Sequence, residues 1–274
     1  MNNDIRTVAF IGAGNMSRSI IGGLIQNGYP SDRIIASNPS TGKLEALAEQ
    51  FGIRTTQDNL AAVAEADVLV LAVKPQLMAE VCAPIAELDL EGKLAISIAA
   101  GVTCERMSAY LGGHASLVRT MPNTPSMLGL GMTGLYADPV VGEADRAFAG
   151  TLMGAVGEIL WLEQEAGIDQ VIACAGSSPA YFFLFMEAME QGAAALGVKP
   201  EDARLMIEQA AIGAAQMVRQ NPQSSLAELR AQVTSKGGTT HEAVLTLEQQ
   251  GLRDAVKDAM QAAVTRAQEM AKQF

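Results

Sequence analysis

The chain has 274 residues, and its 19 Lys plus Arg against 30 Asp plus Glu leave a formal net charge of −11. That length allows two domains with cores of their own, while the negative balance argues against nucleic acid or an anionic membrane as a partner. Anionic small molecules must then be held by local clusters of N–H groups and a few placed cations. Cys82, Cys104 and Cys174 are scattered and set among apolar residues, so they read as buried free thiols of a reducing cytosol, without disulfide or zinc spacing. The opening Met1-Asn2-Asn3-Asp4 lacks the regions of a signal peptide, and no apolar run is read as long enough to span a bilayer. The expectation is a soluble cytoplasmic protein without a catalytic metal.

In chain order, short apolar runs alternate with helical patterns, the mark of a doubly wound parallel sheet. Strands are expected at Thr7 to Ile11, Arg33 to Ser37, within Ala66 to Val73, at Leu94 to Ile98 and at Ser116 to Thr120. Met132 to Tyr136 and Glu158 to Leu162 read as edge strands, with helices between, such as Met16 to Gln26 and Ser40 to Gln50. From about Gly167 the chain turns Ala-, Met- and Gln-rich with helical periodicity only: Ile168 to Leu196, Pro200 to Gln220, Ser224 to Gln232, Thr239 to Gln249 and Leu252 to Lys272. A domain boundary falls near Glu163 to Ala166, giving an N-terminal domain of residues 1–165 and an all-helical one of residues 166–274. Small residues such as Gly192, Ala210 and Gly213 suit close helix packing, and the few aromatics suggest that much of the second domain forms an oligomer interface.

Gly12-Ala13-Gly14-Asn15-Met16-Ser17 follows the first strand and opens a helix, matching G-x-G-x-x-G with Ser17 in the third place. The first glycine makes the turn, the second admits a pyrophosphate, and the third position sets helix–strand packing, where Ser is tolerable. After the second strand stands Ser37-Asn38-Pro39-Ser40-Thr41-Gly42-Lys43, without the acid that an NAD site uses on the ribose 2′-OH. Its hydroxyls, a helix start and Lys43 favour the 2′-phosphate of NADPH, with NADH as the alternative. Ala72-Val73-Lys74-Pro75 and Ile98-Ala99-Ala100-Gly101 end two further strands at the same crevice. Arg119 to Pro125 ends another, where Asn123 reads either as orienting nicotinamide or substrate, or as part of a structural proline loop.

Far along the chain, Val233-Thr234-Ser235-Lys236-Gly237-Gly238-Thr239-Thr240 stands directly before an amphipathic run. Two glycines flanked by hydroxyls at a helix start can turn N–H donors onto a small anion. The plainer alternative is a Ser/Thr cap on an ordinary helix.

Together these motifs resemble the pyrroline-5-carboxylate reductase family over essentially the whole chain. The resemblance rests on Phe10 to Met16, Ala72 to Pro75, Ser97 to Val102, Met121 to Pro125, Gly176 to Tyr181 and, most specifically, Leu226 to Glu248 with Gly237-Gly238-Thr239-Thr240. Lys236 stands where the family commonly has Pro, and Leu226 where it often has Pro. The resemblance implies an N-terminal Rossmann-like doubly wound parallel sheet followed by an all-α C-terminal dimerisation domain. It implies reduction of 1-pyrroline-5-carboxylate to L-proline by NAD(P)H, in dimers that often assemble five at a time into a decamer.

The cofactor contacts then expected are Ile11, Gly12, Ala13, Gly14, Asn15 and Met16, with Ser37, Asn38, Pro39 and Asn59. Ala72, Val73, Lys74, Pro75, Ile98, Ala99 and Ala100 complete them. Ser235, Gly237, Gly238, Thr239, Thr240 and Asn123 are the expected substrate contacts, with Thr240 catalytic through a hydrogen bond to the imine nitrogen. His241 is discounted as a general acid because its helix position faces solvent, and His114 reads as a surface residue. A β-hydroxyacid dehydrogenase is the nearest rival, but it would need a base in the helical domain, and Ile168 to Leu196 contains no lysine. A sensor that binds NADPH without turnover is the rival of another kind.

Overall fold

The computed structural model describes residues 5–114 and 116–273, so the opening Met1-Asn2-Asn3-Asp4 lies outside the described residues. Two compact units are present, Met1–Pro179 with Ala262–Phe274, and Ala180–Gln261. The first begins with β1 (Val8–Ile11), α1 (Asn15–Gln26), β2 (Ile34–Ser37), α2 (Thr41–Phe51), β3 (Arg54–Thr56), α3 (Asn59–Glu65), β4 (Val68–Leu71) and α4 (Met78–Ile85). It continues through β5 (Leu94–Ser97), α5 (Cys104–Tyr110), β6 (Leu117–Met121), β7 (Gly131–Ala137), α6 (Glu143–Gly154), β8 (Gly157–Trp161) and α7 (Gly167–Val171).

The strands form one sheet in the order β3-β2-β1-β4-β5-β6-β7-β8. The first six in that order are parallel, β7 runs antiparallel to β6, and β8 runs parallel to β7. The residues of β1, β2, β4 and β5 are all buried, which is why their sequences read as continuous apolar runs: helices cover both faces. Alternation still sorts them. Val8 and Phe10 join Ile34, Val70 and Ile96 in one core, while Ala9 and Ile11 join Leu69, Leu71 and Ala95 in the other. Each of the larger side chains among them (Val, Leu, Ile and Phe) contributes about 1.5–3 kcal/mol on burial.

One expectation about the sheet is corrected, and one strand had no expectation. Of the two strands expected at an edge, β8 is one, whereas β7 lies between β6 and β8. The opposite edge is β3, three residues whose exposed Arg54 and Thr55 carry no apolar signal.

Helices follow β8. The α7 segment passes into a π-helical turn at Ile172–Gly176, then comes α8 (Ser178–Ala195). Gly134 admits this entry, since a Cβ there would stand 2.6 Å from a Val171 methyl. Ile168, Ile172 and Ala267 make a small core with Met121, Tyr136 and Leu162.

The second unit holds most of α8, then α9 (Pro200–Gln220), α10 (Leu226–Gln232) and α11 (Thr239–Gln249), and the start of α12 (Leu252–Gln273). Pro200 sits at the first turn of α9, where its missing N–H costs nothing. Ser225 and Glu228 form a capping box on α10. Nothing in α8 is buried, and Phe182, Phe183, Leu184 and Phe185 stand exposed on it.

By length and composition the helical run Gly167–Ala195 could cross a membrane, which corrects the reading that no run is long enough. Ser177, Ser178 and Pro179 break the run in sequence while its average stays apolar. The cysteine reading is corrected in part: Cys82 and Cys104 are buried, Cys174 is exposed.

Candidate functional site

The strand order reverses about β1, so the C-terminal ends of β1 and β4 make the switch point where open α/β sheets bind ligands. Gly12 leaves β1 with φ +110°, and a Cβ there would lie 2.7 Å from the Ala72 carbonyl oxygen. The backbones leaving β1 and β4 can therefore pass only over glycine. Gly14 caps α1 without any side-chain hydrogen bond, and a Cβ on it would meet nothing within 4 Å. The first turn of α1 therefore has orphan N–H groups and the positive end of the helix dipole with no side chain capping them. Ser17, in the place of the third glycine, is buried and donates to the Gly12 carbonyl at 2.6 Å, so the departure from glycine is taken up by a bond that ties helix to turn.

A polar network organises the end of β2. Gly12 N–H donates to the Ser37 carbonyl at 2.8 Å, and Ala13 N–H to Asn38 Oδ1 at 3.3 Å. Ser37 Oγ donates to Asn59 Oδ1 at 2.6 Å, and Asn38 Nδ2 to Ser40 Oγ at 2.9 Å. Gln57 Nε2 donates to the Pro39 carbonyl at 2.7 Å. Ser40 precedes α2 without capping it, and Lys43 is exposed in the first turn, so a second open helix start stands beside the first strand ends.

At β4, Ala72 N–H donates to the Ile11 carbonyl at 2.9 Å, Val73 is half-buried, and Lys74 is exposed before the tight turn Pro75–Leu77. At β5, Ile98 N–H donates to the Leu71 carbonyl at 3.2 Å, with Ala99 buried and Ala100 half-buried. Gly101 follows with φ +78°, where a Cβ would approach Met270 at 3.0 Å. The structure thus brings Ile11 to Met16, Ser37 to Pro39, Asn59, Ala72 to Pro75 and Ile98 to Ala100 to the end of the sheet at which its parallel strands terminate.

Asn123 is 8% exposed and spends its carboxamide inside the chain: Oδ1 accepts from Met132 N–H at 2.9 Å and Nδ2 donates to the Ala175 carbonyl at 3.0 Å.

In the second unit, Gly238 N–H donates to the Ser235 carbonyl at 3.0 Å, closing a turn whose third residue, Gly237, has φ +72° as a type II turn requires. A Cβ on Gly238 would lie 2.5 Å from Ser235 Oγ. Gly238 is the N-cap of α11 and no side chain caps it, so the alternative of a Ser/Thr-capped helix is set aside. Thr239 and Thr240 are the exposed first residues of α11, and their N–H groups belong to the orphan donors of its first turn. His241 is half-buried.

His114 is not a surface side chain. It is half-buried against the Lys93 and Ser116 backbone, with Nε2 buried and unpartnered, and burial pushes its pKa below the usual 6.5. One buried charge was not foreseen as paired: Arg119, in β6, donates to Glu165 at 2.8 Å. The signal available was a guanidinium inside a largely apolar strand; its partner lies 46 residues away and leaves no local pattern. Burial, with the nearby Glu165 carboxylate, pushes the Cys104 thiol up to about 12, and burial alone does the same to Cys82.

A Rossmann sheet with an open glycine-lined helix start at its switch point, joined to a helical unit with a second such start, defines a dinucleotide-dependent oxidoreductase. Residues 7–101 match the family profile described as NADP oxidoreductase coenzyme F420-dependent, and residues 165–270 that described as pyrroline-5-carboxylate reductase dimerisation. The chain is 57% identical to a pyrroline-5-carboxylate reductase of Vibrio alginolyticus over 98% of its own length and 99% of the relative's. It is 44% identical to that of Haemophilus influenzae, with the same two coverages. A solved pyrroline-5-carboxylate reductase from Coxiella burnetii superposes with a TM-score of 0.92 at 43% identity, covering 98% of this chain and 99% of that one. The chain belongs to the pyrroline-5-carboxylate reductase family.

Proposed function

We propose that this chain reduces the cyclic imine of 1-pyrroline-5-carboxylate to L-proline with NADPH, with NADH as a poorer donor. The observation that carries the reading is that the two helix starts at glycine motifs, Gly14 and Gly238, have no side-chain cap, in a chain 57% identical to such a reductase over 98% of its length. The Gly12–Gly14 opening fits a pyrophosphate, because no side chain caps the start of α1 and a Cβ at Gly14 would meet nothing within 4 Å. Ile11 to Met16, Ser37 to Pro39, Asn59, Ala72 to Pro75 and Ile98 to Ala100 would hold the dinucleotide, which supplies the hydride when bound. The open start of α2 with Lys43 and the missing acid after β2 favour a 2′-phosphate over a free 2′-OH.

Ser235, Gly237, Gly238 and Thr239 would grip the substrate carboxylate by backbone N–H groups and hydroxyls, the means open to a protein of net charge −11. Thr240 Oγ would donate to the imine nitrogen. A threonine hydroxyl is a weak acid, so the proton reaches nitrogen from solvent through it or arrives on the imine. Residues 1–165 would act as the dinucleotide domain and 166–274 as the substrate and dimerisation domain. A second copy, rather than a bilayer, would cover the exposed Phe182 to Phe185 face, supported by the dimerisation match over 165–270, and five dimers would form a decamer. Nucleic acid and membrane are not partners in this reading, and the protein works in the cytoplasm.

Turnover of 1-pyrroline-5-carboxylate, followed as NADPH consumed and proline formed with NADH run alongside, tests the assignment. Rapid turnover with a higher kcat/KM for NADPH is expected. Binding of NADPH without proline formation would reject it.

A further inference from the structure

At the π-helical turn Ile172–Gly176 one carbonyl lacks its α-helical donor. Continuing helically, the Ala175 oxygen would accept from the N–H of residue 179, which is proline and has none. Ser177 N–H turns back instead to the Ile172 carbonyl at 2.8 Å, the i→i+5 bond of a π turn. Asn123 supplies the missing donor: its Nδ2 lies 3.0 Å from the Ala175 oxygen, with Ser178 Oγ contributing only at 3.4 Å. The other end of the same carboxamide accepts Met132 N–H, at the start of β7. Asn123 therefore joins three segments: the loop leaving β6, the start of β7 and the π turn. Contact is close throughout, since a Cβ on Gly176 would lie 3.0 Å from Met121 Cε. The end of β6 is in turn tied to the end of β5, Thr120 Oγ1 donating to the Ser97 carbonyl at 3.0 Å.

We infer that Asn123 is a positioning residue of the reductase, which acts by holding the Ala175–Ser177 backbone against the C-terminal end of β6 and not by touching substrate or cofactor. The inference rests on the reductase reading for its catalytic consequence only. Both polar ends of the side chain are engaged within the chain and the residue is only 8% exposed, which leaves little of it open to a ligand. The aspartate variant isolates the donor: Asn123→Asp keeps an acceptor for Met132 N–H but, when ionised, sets a carboxylate against the Ala175 oxygen.

The test combines amide hydrogen exchange of the unliganded protein with steady-state kinetics and NADPH binding, on wild type, Asn123→Ala and Asn123→Asp. Expected are at least tenfold faster exchange in residues 172–178 in both variants and at least a tenfold loss of kcat/KM for the imine. The NADPH Kd should stay within about threefold of wild type. Asn123→Asp should in addition gain activity relative to wild type as pH falls and its carboxyl regains a proton to donate. Lost turnover with unchanged exchange would mean a direct contact and overturn the inference. Faster exchange with wild-type kinetics would leave a structural role alone and overturn it equally. If Asn123→Ala fails to fold, Asn123→Asp carries the test. The exchange arm uses no substrate, so a failure of the latch is distinguishable from a failure of the reductase reading.

Discussion

The guanidinium of Arg119 and the carboxylate of Glu165 meet at 2.8 Å, with Arg119 5% and Glu165 25% exposed. The same Glu165 oxygen accepts the Cys104 N–H, the first amide of α5, also at 2.8 Å. One carboxylate thus joins β6, the start of α5 and the segment entering α7, and it sits where the dipole of α5 favours negative charge. Glu165→Ala should destabilise by roughly 3 kcal/mol, the low end for a broken buried pair because Glu165 keeps some solvent. Urea unfolding measures it; a loss below about 1 kcal/mol would show that Arg119 finds water or another partner.

Gly12 and Gly14 make different predictions for stability although both belong to one motif. Gly12→Ala forces a Cβ within 2.7 Å of the Ala72 carbonyl at φ +110°, which should cost about 1–3 kcal/mol of stability and weaken NADPH binding through distortion. At Gly14 the φ of −82° is open to any residue and the Cβ meets nothing. Gly14→Ala should leave Tm unchanged and raise the NADPH Kd at least tenfold, about 1.4 kcal/mol. Wild-type affinity in that variant would remove the pyrophosphate from the start of α1.

Thr240→Ala should lower kcat by roughly 10-fold to 1000-fold, the range for deleting one donor aimed at charge in the transition state. Stability should hold, because the side chain is exposed and caps nothing. NADPH affinity should also hold. An unchanged kcat would take Thr240 out of the mechanism.

Burial lowers the His114 pKa, against smaller opposing effects from the Lys93 and Ser116 backbone and from Asp145. The unfolded chain therefore binds more protons than the native one between the depressed native value and 6.5. Stability from this group is present above 6.5 and is lost as pH falls below it. In His114→Asn, the decline of ΔG of unfolding on acidification should be shallower than in wild type. Parallel curves would show that the imidazole titrates alike in both states.

Local pattern carried most of the architecture. The apolar runs of β1, β2, β4 and β5, the glycines after β1, and the helical texture beyond Trp161 each report a requirement satisfied within a few residues, so a linear reading could find them. The Gly237-Gly238-Thr239-Thr240 turn was legible for the same reason: a left-handed glycine followed by an uncapped helix start is a property of a short stretch of chain. Tertiary structure decided the rest. The three residues of β3, two of them exposed, make a strand only because β2 offers them an edge, and β7 is internal only because β8 pairs beyond it. Arg119 in its strand and Asn123 in its proline loop are polar groups whose partners, Glu165 and Ala175, lie 46 and 52 residues away. Buried polar groups must be matched wherever the fold brings a partner, and sequence distance says nothing about where that is.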